Sequence, residues 1–195
     1  GFKLESQETV PSSGWKIEKV SDRKVRDEWK PLWGKRAVVE DHFNELVIDL
    51  VNPAGQPERM QLVVRGYNDG FAFCYKIPDG KGPCVNVQSE LTAYNFAGDY
   101  TAWFYNGENH NIGPEKLTET DGTRLPVMTV KAGDKHYMAI HEACLETGAP
   151  LVLQSKGGES LFSVAAKPTS LSPGYTSAWR VVLYGTTPGV LTDSH

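Results

Sequence analysis

No apolar run in these 195 residues approaches the roughly 20 needed to cross a bilayer as a helix. Cysteine is scarce: Cys74, Cys84 and Cys144 are odd in number and lack CxxC spacing, which argues against a disulfide framework and a zinc signature. Cys74 and Cys84 flank a loop that a disulfide could close, although buried free thiols are the commoner state. A surplus of positive charge is missing too. Net charge is −4 with both signs interspersed, and the longest basic cluster (Arg23, Lys24, Arg26) runs straight into Asp27 and Glu28. That pattern leaves no electrostatic footprint for nucleic acid. Helical periodicity is weak, with room for a short turn only between Ser21 and Trp33, limited by Pro31 and Gly34. There is no GxSxG elbow, P-loop, dinucleotide glycine fingerprint or HExxH. The chain shows no secretory leader, and its opening Gly1-Phe2-Lys3-Leu4-Glu5 reads as the middle of a strand, so we expect residues before it.

What is present is period-2 alternation between turn signals. The apolar fraction of 39% suffices for a core, and 19 glycines with 12 prolines point to many short strands. Leu46 to Val51 is a strand stopped by Asn52-Pro53-Ala54-Gly55. Met60 to Tyr67 is reversed by Asn68-Asp69-Gly70, residues that tolerate positive φ, into Phe71 to Ile77. A second hairpin joins Val127–Val130 to His136–Cys144, and a third joins Leu151–Gln154 to Leu161–Val164. The last strand runs from Trp179 to Tyr184, closed by Gly185, and the polar stretch 106–111 is expected as an exposed loop. Strands at this spacing predict an antiparallel sandwich or barrel with no internal repeat.

The informative polar site is Tyr137-Met138-Ala139-Ile140-His141-Glu142-Ala143-Cys144. As a strand it puts Glu142 on one face with Met138, Ile140 and Cys144. A buried carboxylate there needs an arginine, a hydrogen-bond network or a metal, unless it reaches solvent at the strand end. His141 falls on the opposite face, so the two cannot easily chelate one ion, and the other histidines show no ligand spacing. Asp41-His42-Phe43-Asn44-Glu45 precedes a strand, where Asn44 and Glu45 either bond at its entrance or hold a neighbouring domain. Trp103, within Thr101-Ala102-Trp103-Phe104-Tyr105, is a candidate sugar-stacking surface. Trp29 and Trp33, beside Pro31, read as core or interdomain plugs before sugar platforms.

Six blocks in order resemble the N-terminal domain of glycoside hydrolase family 97. They are Trp29-Lys30-Pro31-Leu32-Trp33-Gly34, His42-Phe43-Asn44-Glu45-Leu46, Tyr67-Asn68-Asp69-Gly70-Phe71-Ala72-Phe73, Thr101-Ala102-Trp103, Ile140-His141-Glu142-Ala143 and Trp179-Arg180-Val181-Val182. The resemblance implies an all-β, antiparallel super-β-sandwich of galactose mutarotase-like architecture, lacking its first strands and so left with an open edge. Residues 1–195 would be one N-terminal domain of a secreted α-glucosidase or α-galactosidase of Bacteroidetes, periplasmic or at the cell surface, whose catalytic (β/α)8 barrel is absent here. Its partners would be that barrel and an α-linked oligosaccharide. The resemblance also gives Glu142 a role: it reaches into the barrel's active site and helps coordinate calcium. One glutamate cannot supply the roughly 6–8 oxygens calcium takes, so the site is incomplete in this chain. Trp103, His141, Asn44 and Glu45 are expected at the pocket rim or the interdomain surface. No catalytic residue is expected here, since glycosidases need two carboxylates flanking the bond and no such pair stands out.

Two other readings stay open at this point. A free-standing carbohydrate-binding module would bind oligosaccharide saturably and quench tryptophan fluorescence. A mutarotase-like enzyme would need an acid/base pair that the sequence does not display, and rests on fold analogy alone.

Overall fold

The computed structural model describes residues 2–4, 14–55, 57–81, 84–107, 111–146, 150–165 and 169–193. The strands are β1 (Phe2–Leu4), β2 (Lys16–Trp29), β3 (Val39–Val51), β4 (Arg59–Tyr67), β5 (Gly70–Lys76), β6 (Val85–Glu90), β7 (Ala93–Asn95) and β8 (Thr101–Tyr105). They continue as β9 (Asn111–Lys116), β10 (Asp121–Lys131), β11 (Tyr137–Ala143), β12 (Leu153–Lys156), β13 (Leu161–Val164), β14 (Thr169–Leu171) and β15 (Trp179–Gly185). A short helix α1 (Pro188–Asp193) follows. All named pairings are antiparallel.

The large sheet runs β2-β3-β4-β5-β15-β11-β10, and β10 then serves two layers. Met128–Lys131 pair with β11, Leu125 and Thr129–Lys131 with β8, and Asp121–Arg124 with β12. The register shifts between Leu125 and Thr129, where the strand changes partners. From β12 the second layer continues through β13 to β7, and a separate three-stranded sheet, β1-β6-β14, packs Val87 and Leu171 against Met60 and Tyr75 of the large sheet. Two apolar clusters fill the space between the layers. One gathers Ala102, Phe104, Met128, Val130, Ile140, Leu153 and Phe162. The other gathers Met60, Tyr75, Ile77, Val87 and Leu171. This is the antiparallel sandwich that the alternation predicts.

The β4–β5 hairpin forms where Asn68-Asp69-Gly70 predicts it. Gly70 is required for a second reason: a Cβ there would collide with the Val182 carbonyl of β15. Three expectations need correction. The Ser21–Trp33 stretch is no helical turn, because β2 extends through Trp29, held by thirteen register partners along β3. Asp41 to Glu45 lie inside β3, not before it, since pairing with β2 begins at Val39. Cys144 lies just past β11 with φ 58°, so it leaves the face it was expected to share with Glu142. All three cysteines are free, Cys74 buried and the others exposed. The stretch 106–111 is described only outside 108–110.

As the outermost strand, β2 is exposed along most of its length and rich in Lys, Arg, Asp and Glu, a composition that discourages pairing with a second copy. Trp29 and Trp33 are not core: Trp33 is 88% exposed and Leu32 fully so. Phe162 sits fully buried between Phe96 and Phe104, with ring centroids 6.3 and 5.7 Å away. Phe162→Ala should cost about 3–5 kcal/mol, read as a lower urea midpoint at unchanged slope. A loss below about 1 kcal/mol would show that this cluster does not carry the fold.

Candidate functional site

The register places two rows side by side on opposite faces of the large sheet. Glu142 of β11 stands directly across from Arg180 of β15, which stands across from Phe73 of β5. This row faces the sandwich interior. Arg180 is 2% exposed and stands on β15, at the seam between the strands that carry the two apolar clusters. Its guanidinium binds Glu90, at the end of β6, through two bonds: Nε donates to Oε1 at 3.1 Å and Nη2 to Oε2 at 2.5 Å. The third nitrogen, Nη1, donates to Glu142 Oε2 at 3.4 Å. That same oxygen accepts the Leu151 N–H at 2.5 Å, tying β11 to the chain entering β12. Nearby, the Tyr75 and Thr92 hydroxyls bond each other at 3.0 Å. The Tyr94 hydroxyl is buried with no hydrogen-bond partner among the described residues.

Burial pulls the Arg180 pKa down, but the Glu90 carboxylate outweighs burial and holds it above its ordinary value. The cation is therefore permanent, and it faces two carboxylates. Glu90 satisfies it in the fork geometry that suits arginine best. Glu142 receives only the longer third contact, so the triad keeps one negative charge in formal terms. The Glu142 side chain is 9% exposed, and no described donor reaches its Oε1. Among the described residues no group of three or more His, Cys, Asp or Glu could hold a metal. A carboxylate oxygen suits a hard cation, so Glu142 has the chemistry of a ligand, while the described residues set no group of carboxylates, His or Cys beside it that would complete a site.

The opposite row reads His141, Val181, Ala72, Arg65, Glu45, Arg23 across six strands. Glu45 is buried between Arg23 (Nε to Oε1, 2.6 Å) and Arg65 (Nε to Oε2, 2.8 Å). Arg65 in turn lies over the rings of Phe43 and Trp179, 4.3 and 4.5 Å from their centroids. A groove of about 200 Å³ opens here, lined by Arg65, Tyr67, Phe71, Ala143, Trp179 and Leu183 among others. His141 is exposed on this face. Trp103 shares it by register through Thr129 and Ala139, but lines a separate hollow with Tyr105 and Val127. Asn44 is exposed in a third, polar hollow with Arg26, His42 and Asn68. It falls on the face of Glu142 but four strands away, about 20 Å at the usual strand spacing. The sequence candidates therefore do not converge on one pocket.

Sequence reasoning missed Glu90 and Arg180. Arg180 carried a usable signal, since it is a lone charge in Trp179-Arg180-Val181-Val182-Leu183, the same anomaly that marked Glu142. Glu90 follows Gln88 and Ser89 and carried none.

The fold and this seam define an all-β, antiparallel sandwich domain. The family profile described as glycosyl-hydrolase 97 N-terminal matches residues 1–195, and the chain belongs to that family. A glycoside hydrolase family 97 enzyme from Pseudoalteromonas sp. strain K8, solved in complex with acarbose, superposes with a TM-score of 0.85 at 24% identity over 99% of this chain and 31% of that one. A beta-arabinopyranosidase matches with a TM-score of 0.80 at 16% identity, covering 95% of this chain and 34% of that one. The alpha-galactosidase of Lactobacillus brevis gives 0.61 at 8%, covering 98% and 30%. At these identities the likeness establishes the fold. This chain spans roughly a third of the length of those proteins.

The Glu45 cluster generates a pH prediction. Burial raises the Glu45 pKa, but Arg23 and Arg65 more than compensate and hold the carboxyl below its ordinary value. A depressed pKa contributes stability above the unfolded value, about 4.3, and loses it as pH falls through the lower folded value. Thermal unfolding should show Glu45→Gln less stable than the parent at pH 7, with the gap closing below about pH 4. A gap that stays constant to pH 3 would contradict this assignment.

Proposed function

We propose that this chain is the sandwich domain of a calcium-dependent, exo-acting α-glycoside hydrolase. It packs on a (β/α)8 barrel of the same polypeptide and lends Glu142 to a calcium ion at the barrel's active site. The observation that carries this reading is the one-sided engagement of Glu142. Oε2 takes both donors, from Arg180 and Leu151, while Oε1 has none among the described residues. A carboxylate held through one oxygen, with no described donor on the other, suits a ligand shared with another domain. Bound there, calcium would steady the pocket and polarise groups near the leaving oxygen, with bond cleavage left to a pair of barrel carboxylates.

The surface supports a neighbouring domain. Leu32 and Trp33, adjacent in the β2–β3 arm, project into solvent as an apolar pair that a neighbouring domain would cover. Lys35 and Arg36 at the base of that arm donate to the Thr192 and Asp193 carbonyls at the end of α1. The arm thus flanks the last described element of the chain. His141 and Trp103 remain the groups we assign to the rim or interdomain surface, with Asn44. Glu45 acts there only through Arg65 and Arg23, which occupy it. The substrate class we infer is an α-linked oligosaccharide, in keeping with the acarbose and panose held by the Pseudoalteromonas enzyme. The compartment we infer from the family is the periplasm or cell surface. No helix among the described residues is long and apolar enough to cross a membrane.

Glu142→Gln in the full-length enzyme should weaken calcium binding and lower turnover while the unfolding temperature in calcium-free buffer stays near that of the parent. Calcium titration, hydrolysis assays and thermal melts read the three effects. Full activity in excess chelator would overturn the calcium reading.

A further inference from the structure

We infer that Arg180, locked by Glu90, is a positioning residue for Glu142: it fixes which carboxylate oxygen is offered outward and leaves that oxygen its charge. This deepens the reading of Glu142 as a cation ligand and rests on it. The guanidinium fork is consumed by Glu90 through Nε and Nη2, so its plane and its remaining nitrogen are fixed. Both partners are 2% exposed, and water cannot compete for these bonds. Nη1 then meets Glu142 at 3.4 Å, long for a charge-assisted bond, which orients the carboxylate without neutralising it. The Leu151 N–H converges on the same Oε2, and no donor among the described residues reaches Oε1.

Glu90 matters through charge as well as geometry. Without it, the buried guanidinium would have Glu142 as its only carboxylate partner among the described residues, and the strongest pairing available would draw Glu142 inward. With it, the arginine is already matched and Glu142 keeps its capacity to ligate. Neither Glu90 nor Arg180 needs to touch the ion. This is the arrangement seen when an outer layer of hydrogen bonds orients a metal ligand, where substitutions typically cost 10- to 100-fold in metal affinity.

The test is a calcium titration of the full-length enzyme against a competing fluorescent chelator, on the parent, Arg180→Lys, Glu90→Asp, Glu142→Gln and Arg180→Lys/Glu142→Gln, with thermal melts in parallel. Lysine keeps the charge but loses the fork, and aspartate keeps the charge but falls one methylene short. Each should weaken calcium about tenfold or more. In the Glu142→Gln background, Arg180→Lys should change affinity less than about twofold, since its effect runs through the carboxylate. A merely structural staple would weaken binding equally in both backgrounds, and that result would overturn the inference. So would parental affinity in Arg180→Lys and Glu90→Asp alongside a loss in Glu142→Gln, which would leave the ligand reading standing alone. Parental affinity in Glu142→Gln itself would remove the ligand reading and the inference with it. If Arg180→Lys does not fold, Glu90→Asp, alone and combined with Glu142→Gln, gives the same comparison.

Discussion

A guanidinium buried between the strands that carry the two apolar clusters is the constraint on which the rest of this sandwich depends. Arg180 stands on β15, between the β4–β5 side of the large sheet and the β10–β11 side. One cluster lies to each side of it. Taking a charge this far from water costs several kcal/mol, and a buried ion pair repays that only with excellent geometry. The geometry here is good for Glu90, whose two oxygens match two nitrogens. An apolar residue of similar volume would fill the seam at less cost. What it would not do is fix the end of the three-stranded sheet, through Glu90, to β15 and the Glu142 carboxylate beside it. The triad therefore specifies how the two layers meet, and in doing so it fixes the site.

Much of the architecture is legible in the residues, for identifiable reasons. β4, β5, β11, β13 and β15 are short runs rich in apolar, β-branched and aromatic residues between turn signals, and each lies within a residue or so of where those signals put it. β2 is not legible, because Lys16 to Trp29 is mostly charged or polar and its four apolar residues, Ile17, Val20, Val25 and Trp29, do not alternate. It is a strand because β3 offers it thirteen partners, and an outermost strand needs no buried face. The start of β3 was hidden for the same reason. The division of β10 between two layers was also hidden, since which strands flank it depends on segments far away in the chain.

The site was half legible. Glu142 stands out locally as a carboxylate in line with Met138 and Ile140, and the structure supplies the arginine such a residue requires. That Arg180 is this partner follows only from the β11–β15 register, and that Glu90 joins them follows from the packing of β6 against the large sheet. The adjacent pair His141 and Glu142 divides between faces, as strand geometry demands. One faces solvent, and the other is held at the seam through Oε2, with no described donor on Oε1. Trp103 and Asn44 were plausible by residue type, but type does not report location, and the topology sends them to separate hollows.

The most direct test is a crystal structure of the full-length protein grown with calcium, with the ion located by its anomalous signal. The account predicts calcium within about 2.3–2.6 Å of a Glu142 oxygen, with Oε2 still held by Arg180 and the Leu151 N–H and with the remaining ligands drawn from outside this sandwich. Calcium bound at the active site with the Glu142 carboxylate well beyond that distance would contradict it.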